Sequence, residues 1–309
     1  MKDFLFKFTL FLLIPFSVLT AAVLWIPATP KAKSSMLFEQ LKKDSLLKNV
    51  KSPRIVMIGG SNLSMSLNSQ SIKDSLHLNP VNMGLHAAIG LVFMLDHAEP
   101  YIRKGDIVLV VPEYAQLYGD FGYGEKELLL TIFDVKSGKF SDLGWRQIKN
   151  LLPFFPKYAF TKFKPSEYKK RFRLLKVQTT FNEYGDWGKR FDSVKNTTTY
   201  DALEGGLNKN ILAKMKDFEQ AIAQKGAKMI VSFPAYQEAS FNNSVPMIKD
   251  IEDAYRNNGF TVIGNPEKYK FKNDLMYDTP YHLNAKGVTI RTKMLIQDLK
   301  KEAHLKPVN

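Results

Sequence analysis

The chain has 309 residues, 45% of them hydrophobic and 24% charged, and carries 44 Lys and Arg against 30 Asp and Glu, a net charge of +14. That balance fits a globular protein with a sizeable core and excludes wholesale disorder, while the basic excess favours anionic surroundings such as anionic lipid, an acidic polymer or nucleic acid. Cysteine is absent and histidine numbers five, which excludes disulfide frameworks, thiol nucleophiles and thiolate metal sites and makes a His-rich metal centre a poor expectation; neither metal nor cofactor is expected.

Lys2 and Lys7 precede an apolar run from Phe8 to Pro27. About 20 residues at ~1.5 Å each match a hydrocarbon core of ~30 Å. Ala21 and Ala22 make a poor cleavage site, because Val23, Leu24, Trp25 and Ile26 continue the run past them. Residues 1–30 therefore read as an uncleaved membrane anchor with Trp25 at the interface. Lys31, Lys33, Lys42 and Lys43 follow the span and oppose the usual positive-inside bias. The expectation is nevertheless a single-pass protein whose body lies outside the cytoplasm, in the periplasm or at the cell surface. Residues 31–52 read as a polar, Lys-rich tether.

The body begins with Arg54-Ile-Val-Met-Ile58, a short β-branched run stopped by Gly59-Gly60, which predicts a buried strand. A second strand is expected near Pro80-Val81-Asn82 and a buried helix from Ala87 to Arg103. Gly105-Asp106 turns into the strand Ile107 to Val111, which Pro112 ends. Helical spacing at Ile211, Met215, Phe218 and Ile222 stops at Gly226 and leads to a strand from Lys228 to Phe233. A helix over Val245 to Asn257, a strand over Phe260 to Ile263 and a last helix from Asn284 to Lys300 complete the pattern. Strands alternating with helices predict an α/β fold over 53–309, a three-layer α/β/α sandwich on a mostly parallel sheet.

A long helical and aromatic insertion interrupts it, over about 113–205. From Arg146 to Lys176 there are ten basic residues and one acidic one, Glu167, interleaved with Phe154, Phe155, Tyr158, Phe160, Phe163 and Phe172. Basic charge among aromatics suits an anionic membrane surface. The same composition suits stacking on single-stranded nucleic acid or an ordinary lid with a solvated face. The anchor favours lipid or an envelope polymer, and no nucleic-acid partner is expected.

Three short motifs could carry chemistry. Ser61 follows the first strand on a Gly-Gly turn, a place where a hydroxyl projects into the ligand crevice of an α/β fold; a helix cap is the bland reading. Gly84, in Asn82-Met-Gly84, permits a backbone N–H to approach a substrate, and is otherwise a turn. His282, in Asp278-Thr-Pro-Tyr-His282, can act as a general base with Asp278 orienting it. His77, His86, His97 and His304 read as structural or surface residues.

In that order these motifs resemble the SGNH hydrolase superfamily, the GDSL-like esterases, over roughly residues 53–300. The resemblance implies Ser61 as nucleophile, Ser61 and Gly84 as backbone oxyanion donors, and Asp278 and His282 as the other triad members. Two departures stand out. The family places its Asp three residues before His, where this chain has Thr279, so Asp274 is a second candidate. The third block normally brings an Asn that donates to the oxyanion, but here Pro112-Glu113-Tyr114 follows the strand. Tyr114 could supply the missing donor, whereas a Glu113 carboxylate cannot donate unless protonated. With the anchor, the resemblance narrows to membrane-tethered SGNH-like proteins of bacterial envelopes, similar to those of alginate acetylation and teichoic acid D-alanylation. It implies an esterase or O-acyltransferase acting on acyl, above all acetyl, groups of an envelope glycan or polymer through an acyl-serine, partnered by a membrane-bound O-acyltransferase. The alternative is a catalytically weak SGNH-like scaffold assisting that partner.

Overall fold

The computed structural model describes residues 1–169, 181–188, 192 and 198–302. Helix α1 spans Lys2–Trp25 and is long and apolar enough to cross a membrane. Helix α2, Gln40–Asn49, precedes β1, Arg54–Gly59. Helices α3, Ser61–Ser66, and α4, Ser69–Leu76, lead to β2, Asn79–Asn82. Helix α5, Leu91–Ala98, precedes β3, Ile107–Val111. In the insertion lie α6, Trp145–Leu151, and α7, Phe155–Thr161. Then follow α8, Lys209–Gln224, β4, Lys228–Val231, and the short β5, Tyr236–Gln237. Helix α9, Val245–Asn257, β6, Lys270–Phe271, and α10, Ala285–Lys301, complete the set used below.

The result is a mixed α/β protein whose four-stranded sheet runs β2-β1-β3-β4, every neighbouring pair parallel. Alternation along the strands divides the core. Val56, Ile58, Val108 and Val110 pack with apolar residues of α5, α8 and α9, such as Leu95, Phe218 and Ile251. Ile55, Met57 and Leu109 face Leu63, Ile72, Leu295 and Leu299 from α3, α4 and α10. Strands buried on both sides are what a continuous Val and Ile run encodes. The insertion packs Leu128, Ile132, Leu151 and Tyr158 with Phe93 of α5 in a second apolar cluster, which also takes in Val23 of α1.

Three expectations need correction. Residues 31–52 are not a loose tether, because α2 buries Lys43 and Leu47 completely. The helix expected over 87–103 is broken at Gly90, whose φ of +90° turns the chain where an added Cβ would lie 2.5 Å from the Gly124 nitrogen. The strand expected over 260–263 contributes only a parallel bridge between Val262 and Val231, since Gly264 at φ +71° turns the chain away. Within the basic aromatic stretch, residues 170–176 including Phe172 lie outside the described residues, as does His304.

Candidate active site

β1 ends at Gly59, and Ser61 opens α3 at the carboxyl edge of the parallel sheet. Its Oγ lies 2.7 Å from His282 Nε2, and His282 Nδ1 lies 2.7 Å from Asp278 Oδ1. An ionised Asp only accepts, so the proton sits on Nδ1 and Nε2 is left to accept from Ser61. The spacing of four residues works because the loop curls: Tyr277 N–H donates to the His282 carbonyl at 2.8 Å, and His282 N–H to the Thr279 carbonyl at 3.2 Å. Asp278 rather than Asp274 therefore meets the imidazole; the Asp274 carbonyl instead accepts from Asn284 Nδ2 at 2.7 Å.

Two residues that sequence reading missed hold this geometry. Ser66 Oγ donates to the Tyr281 carbonyl at 2.9 Å and accepts from Leu283 N–H at 3.0 Å, so it grips the backbone on either side of His282. Arg291 of α10, 1% exposed, donates to the Asn62 carbonyl and, at 3.1 Å, to Asn62 Oδ1, while Asn62 Nδ2 donates to the Val111 carbonyl at 3.2 Å. Burial pulls the Arg291 guanidinium down to about 10, opposed by Tyr269, Glu113 and Tyr114, and it stays cationic at neutral pH. A signal existed for Arg291: it interrupts the apolar stripe Val288, Leu295, Leu299 of a helix that faces the sheet.

Glu113 closes the other side. Its Oε1 accepts from the Asn62 N–H at 3.1 Å and lies 3.2 Å from Ser61 Oγ, a competing acceptor for the one hydroxyl proton. Gly60 permits this approach, since a Cβ there would lie 2.4 Å from that oxygen. Gln116 steadies the segment by accepting from Glu113 N–H at 3.1 Å and donating to the Ala87 carbonyl at 3.0 Å.

Tyr114 and Gly84 do not stand as oxyanion donors. Tyr114 is 1% exposed, packed in the main core edge-on to Tyr236, with no hydrogen-bond partner on its hydroxyl among the described residues. The short helical turn after β3 carries its ring inward. Gly84 N–H is taken by Asn82 Oδ1 at 3.0 Å, and the glycine is a packing requirement, its missing Cβ lying 2.7 Å from the Gly60 carbonyl.

Asn82 ties this edge to the rest of the chain. Its Nδ2 donates to the Leu63 carbonyl at 3.1 Å and to Asp186 at 2.8 Å, and its carbonyl accepts from Lys43 Nζ at 2.8 Å. Lys43 also donates to the Gly185 carbonyl at 2.6 Å. Burial lowers the Lys43 ammonium to about 7, with Asp186 and Glu39 opposing that fall.

A wall of tyrosines borders the triad: Tyr281 stacks on Tyr236 at 4.6 Å and meets Tyr200 edge-on at 6.2 Å. Burial, then the charges of Glu113 and Asp278, push the half-exposed Tyr200 hydroxyl up, so it stays neutral and able to donate. A cavity of ≈ 780 Å³, lined by residues such as Asp96, Trp145, Arg146 and Lys214, takes in none of the Ser61, His282 and Asp278 group. Comparison with protein-family models and with curated protein sequences gives no match.

Proposed function

We propose that this protein is a membrane-anchored serine acyltransferase or esterase of the SGNH type, its helices covering both faces of the sheet as a three-layer α/β/α sandwich. The observation that carries the reading is the aligned set Ser61, His282 and Asp278, with contacts of 2.7 Å on both sides of the imidazole. In this mechanism His282 Nε2 takes the Ser61 proton as Oγ attacks an acyl carbonyl, and Asp278 holds the imidazolium that forms. His282 then returns the proton to the departing oxygen, leaving acyl-Ser61. An acceptor hydroxyl, activated by the same nitrogen, takes the acyl group and restores the serine.

The acyl donor and acceptor belong to an envelope glycan or polymer, with acetyl the leading acyl group. A body outside the cytoplasm and an adjoining membrane-bound O-acyltransferase suit an anchor followed by a basic, aromatic surface. Glu113 sets acyl transfer and hydrolysis the same obstacle, one that donors from a partner would relieve. Its carboxylate takes the Asn62 N–H and brings negative charge beside Ser61, where an oxyanion would develop, so the intermediate is poorly served whichever hydroxyl accepts the acyl group. The same observation favours a second reading, a scaffold whose triad is nearly silent.

Fluorophosphonate labelling of the full chain in detergent separates the two. The full chain is needed because Val23 of the anchor is part of the insertion core. Labelling at Ser61 that vanishes in His282→Ala supports the enzyme. A folded protein that resists labelling, together with a cellular phenotype untouched by Ser61→Ala, would leave the scaffold reading.

A further inference from the structure

The anchor is too short to hold the body clear of the bilayer. α1 spans Lys2–Trp25, but from Phe16 onward it runs along the body. The Phe16 ring lies 6.0 Å from that of Phe155 in α7, Leu19 packs on the insertion core, and Ala22 and Val23 are 5% and 3% exposed. The described side chains of residues 2–15 are all exposed. Counted even from Lys2, and so with Lys7 included, the stretch before Phe16 reaches at most about 21 Å, against a hydrocarbon core of ~30 Å. Tilt only shortens that projection.

The body surface beside Phe155 is apolar on its outer side. Leu152 is 56% exposed, Phe160 61% and Phe163 49%, although inward-facing neighbours Tyr158 and Ala159 are buried in the same helix. The buried Lys162 is paired with Asp134, so it adds no unpaired charge to this face. Lys149, Lys157 and Lys164 are exposed around it, and their aliphatic stems let the ammonium groups reach up to lipid phosphates.

Resting on the reading of α1 as a membrane span, we propose that acyl chains of the leaflet on the body's side cover residues 152–163, so that α7 lies below the headgroups. Immersion by at least about 9 Å makes up the difference between the free length of α1 and the hydrocarbon thickness. The insertion is then a second membrane contact, built into the body.

Because the chain contains no cysteine, single-cysteine spin labels report this cleanly. The full-length variants Leu13→Cys, Phe160→Cys, Phe163→Cys and Lys249→Cys, labelled and reconstituted in mixed phosphatidylcholine and phosphatidylglycerol vesicles, are compared for collision with oxygen and with a water-soluble nickel chelate. Labels at 160 and 163 should favour oxygen as residue 13 does, and residue 249, on the outer face of α9, should favour nickel. Nickel access at 160 and 163 equal to that at 249, with residue 13 in lipid, overturns the immersion alone. Nickel access at residue 13 removes the spanning reading and the inference with it. Labels at 160 and 163 shielded from both colliders would mean that a protein covers this face, which also overturns it.

Discussion

Ser61 Oγ stands between two acceptors, His282 Nε2 at 2.7 Å and Glu113 Oε1 at 3.2 Å. Only one of them helps an acyl transfer. Glu113→Gln keeps the shape but gives the position an amide that can donate, as the Asn of the resembled family does. Labelling of Ser61 should quicken, by about tenfold or more given what one oxyanion donor contributes. Slower labelling in Glu113→Gln than in wild type would show that the carboxylate assists the serine.

Asp278 fixes the tautomer of His282. Asp278→Asn leaves the loop in place but lets the amide donate to Nδ1, turning the proton onto Nε2, where it faces Ser61. Labelling of the folded variant should fall by about three orders of magnitude or more. Asp274→Asn, which leaves the His282 contact intact, should label at the wild-type rate, and an equal loss there would point to the wrong carboxylate.

Ser66 reaches the backbone of both Tyr281 and Leu283. Ser66→Ala orphans a buried carbonyl and a buried N–H, which should lower stability by about 1–3 kcal/mol in denaturant titration. Its labelling rate should drop even where the protein remains folded, because His282 loses its support. Unchanged labelling with lowered stability would confine Ser66 to a structural part.

Lys43 makes stability depend on alkaline pH. Its folded value is lowered by burial to about 7 from 10.5, so between those values the unfolded chain binds the extra proton. Stability from this group is full above 10.5 and is lost as pH falls toward 7, with a slope of at most about 1.4 kcal/mol per pH unit. Lys43→Met, close in length and without charge, should flatten that slope in unfolding titrations between pH 7 and 10. A slope that survives the substitution belongs to other groups.

Much of the frame is legible because local chemistry and tertiary context agree. Ile107 to Val111 is a β-branched run bounded by Gly105-Asp106 and Pro112, and the strand occupies those residues. Asn284 caps α10 by accepting from Gly287 N–H at 3.0 Å, and α9 begins and ends where its spacing says. The juxtaposition of Ser61 with His282 could be read only through resemblance, since the two are 221 residues apart. Other features depend on packing that no local pattern carries. The break at Gly90 answers to Gly124, a contact from the insertion. The inward turn of Tyr114 follows from the helical turn after β3. Lys43 reads as solvated in a Lys-rich stretch, yet it shares a helical face with Leu47 and finds two carbonyl acceptors from distant segments.

The clamp on Asn62 comes from Arg291 of α10 and the imidazole beside Ser61 from residue 282, so the early-made serine waits for partners made much later. A ribosome delivers Ser61 long before His282 and Arg291. Until those residues are in place, the Ser61 hydroxyl has neither the imidazole beside it nor the clamp on its neighbour. The hydrogen-bonded set around Ser61 thus forms late in synthesis, and a chain that stops short of residue 282 has neither partner to offer it.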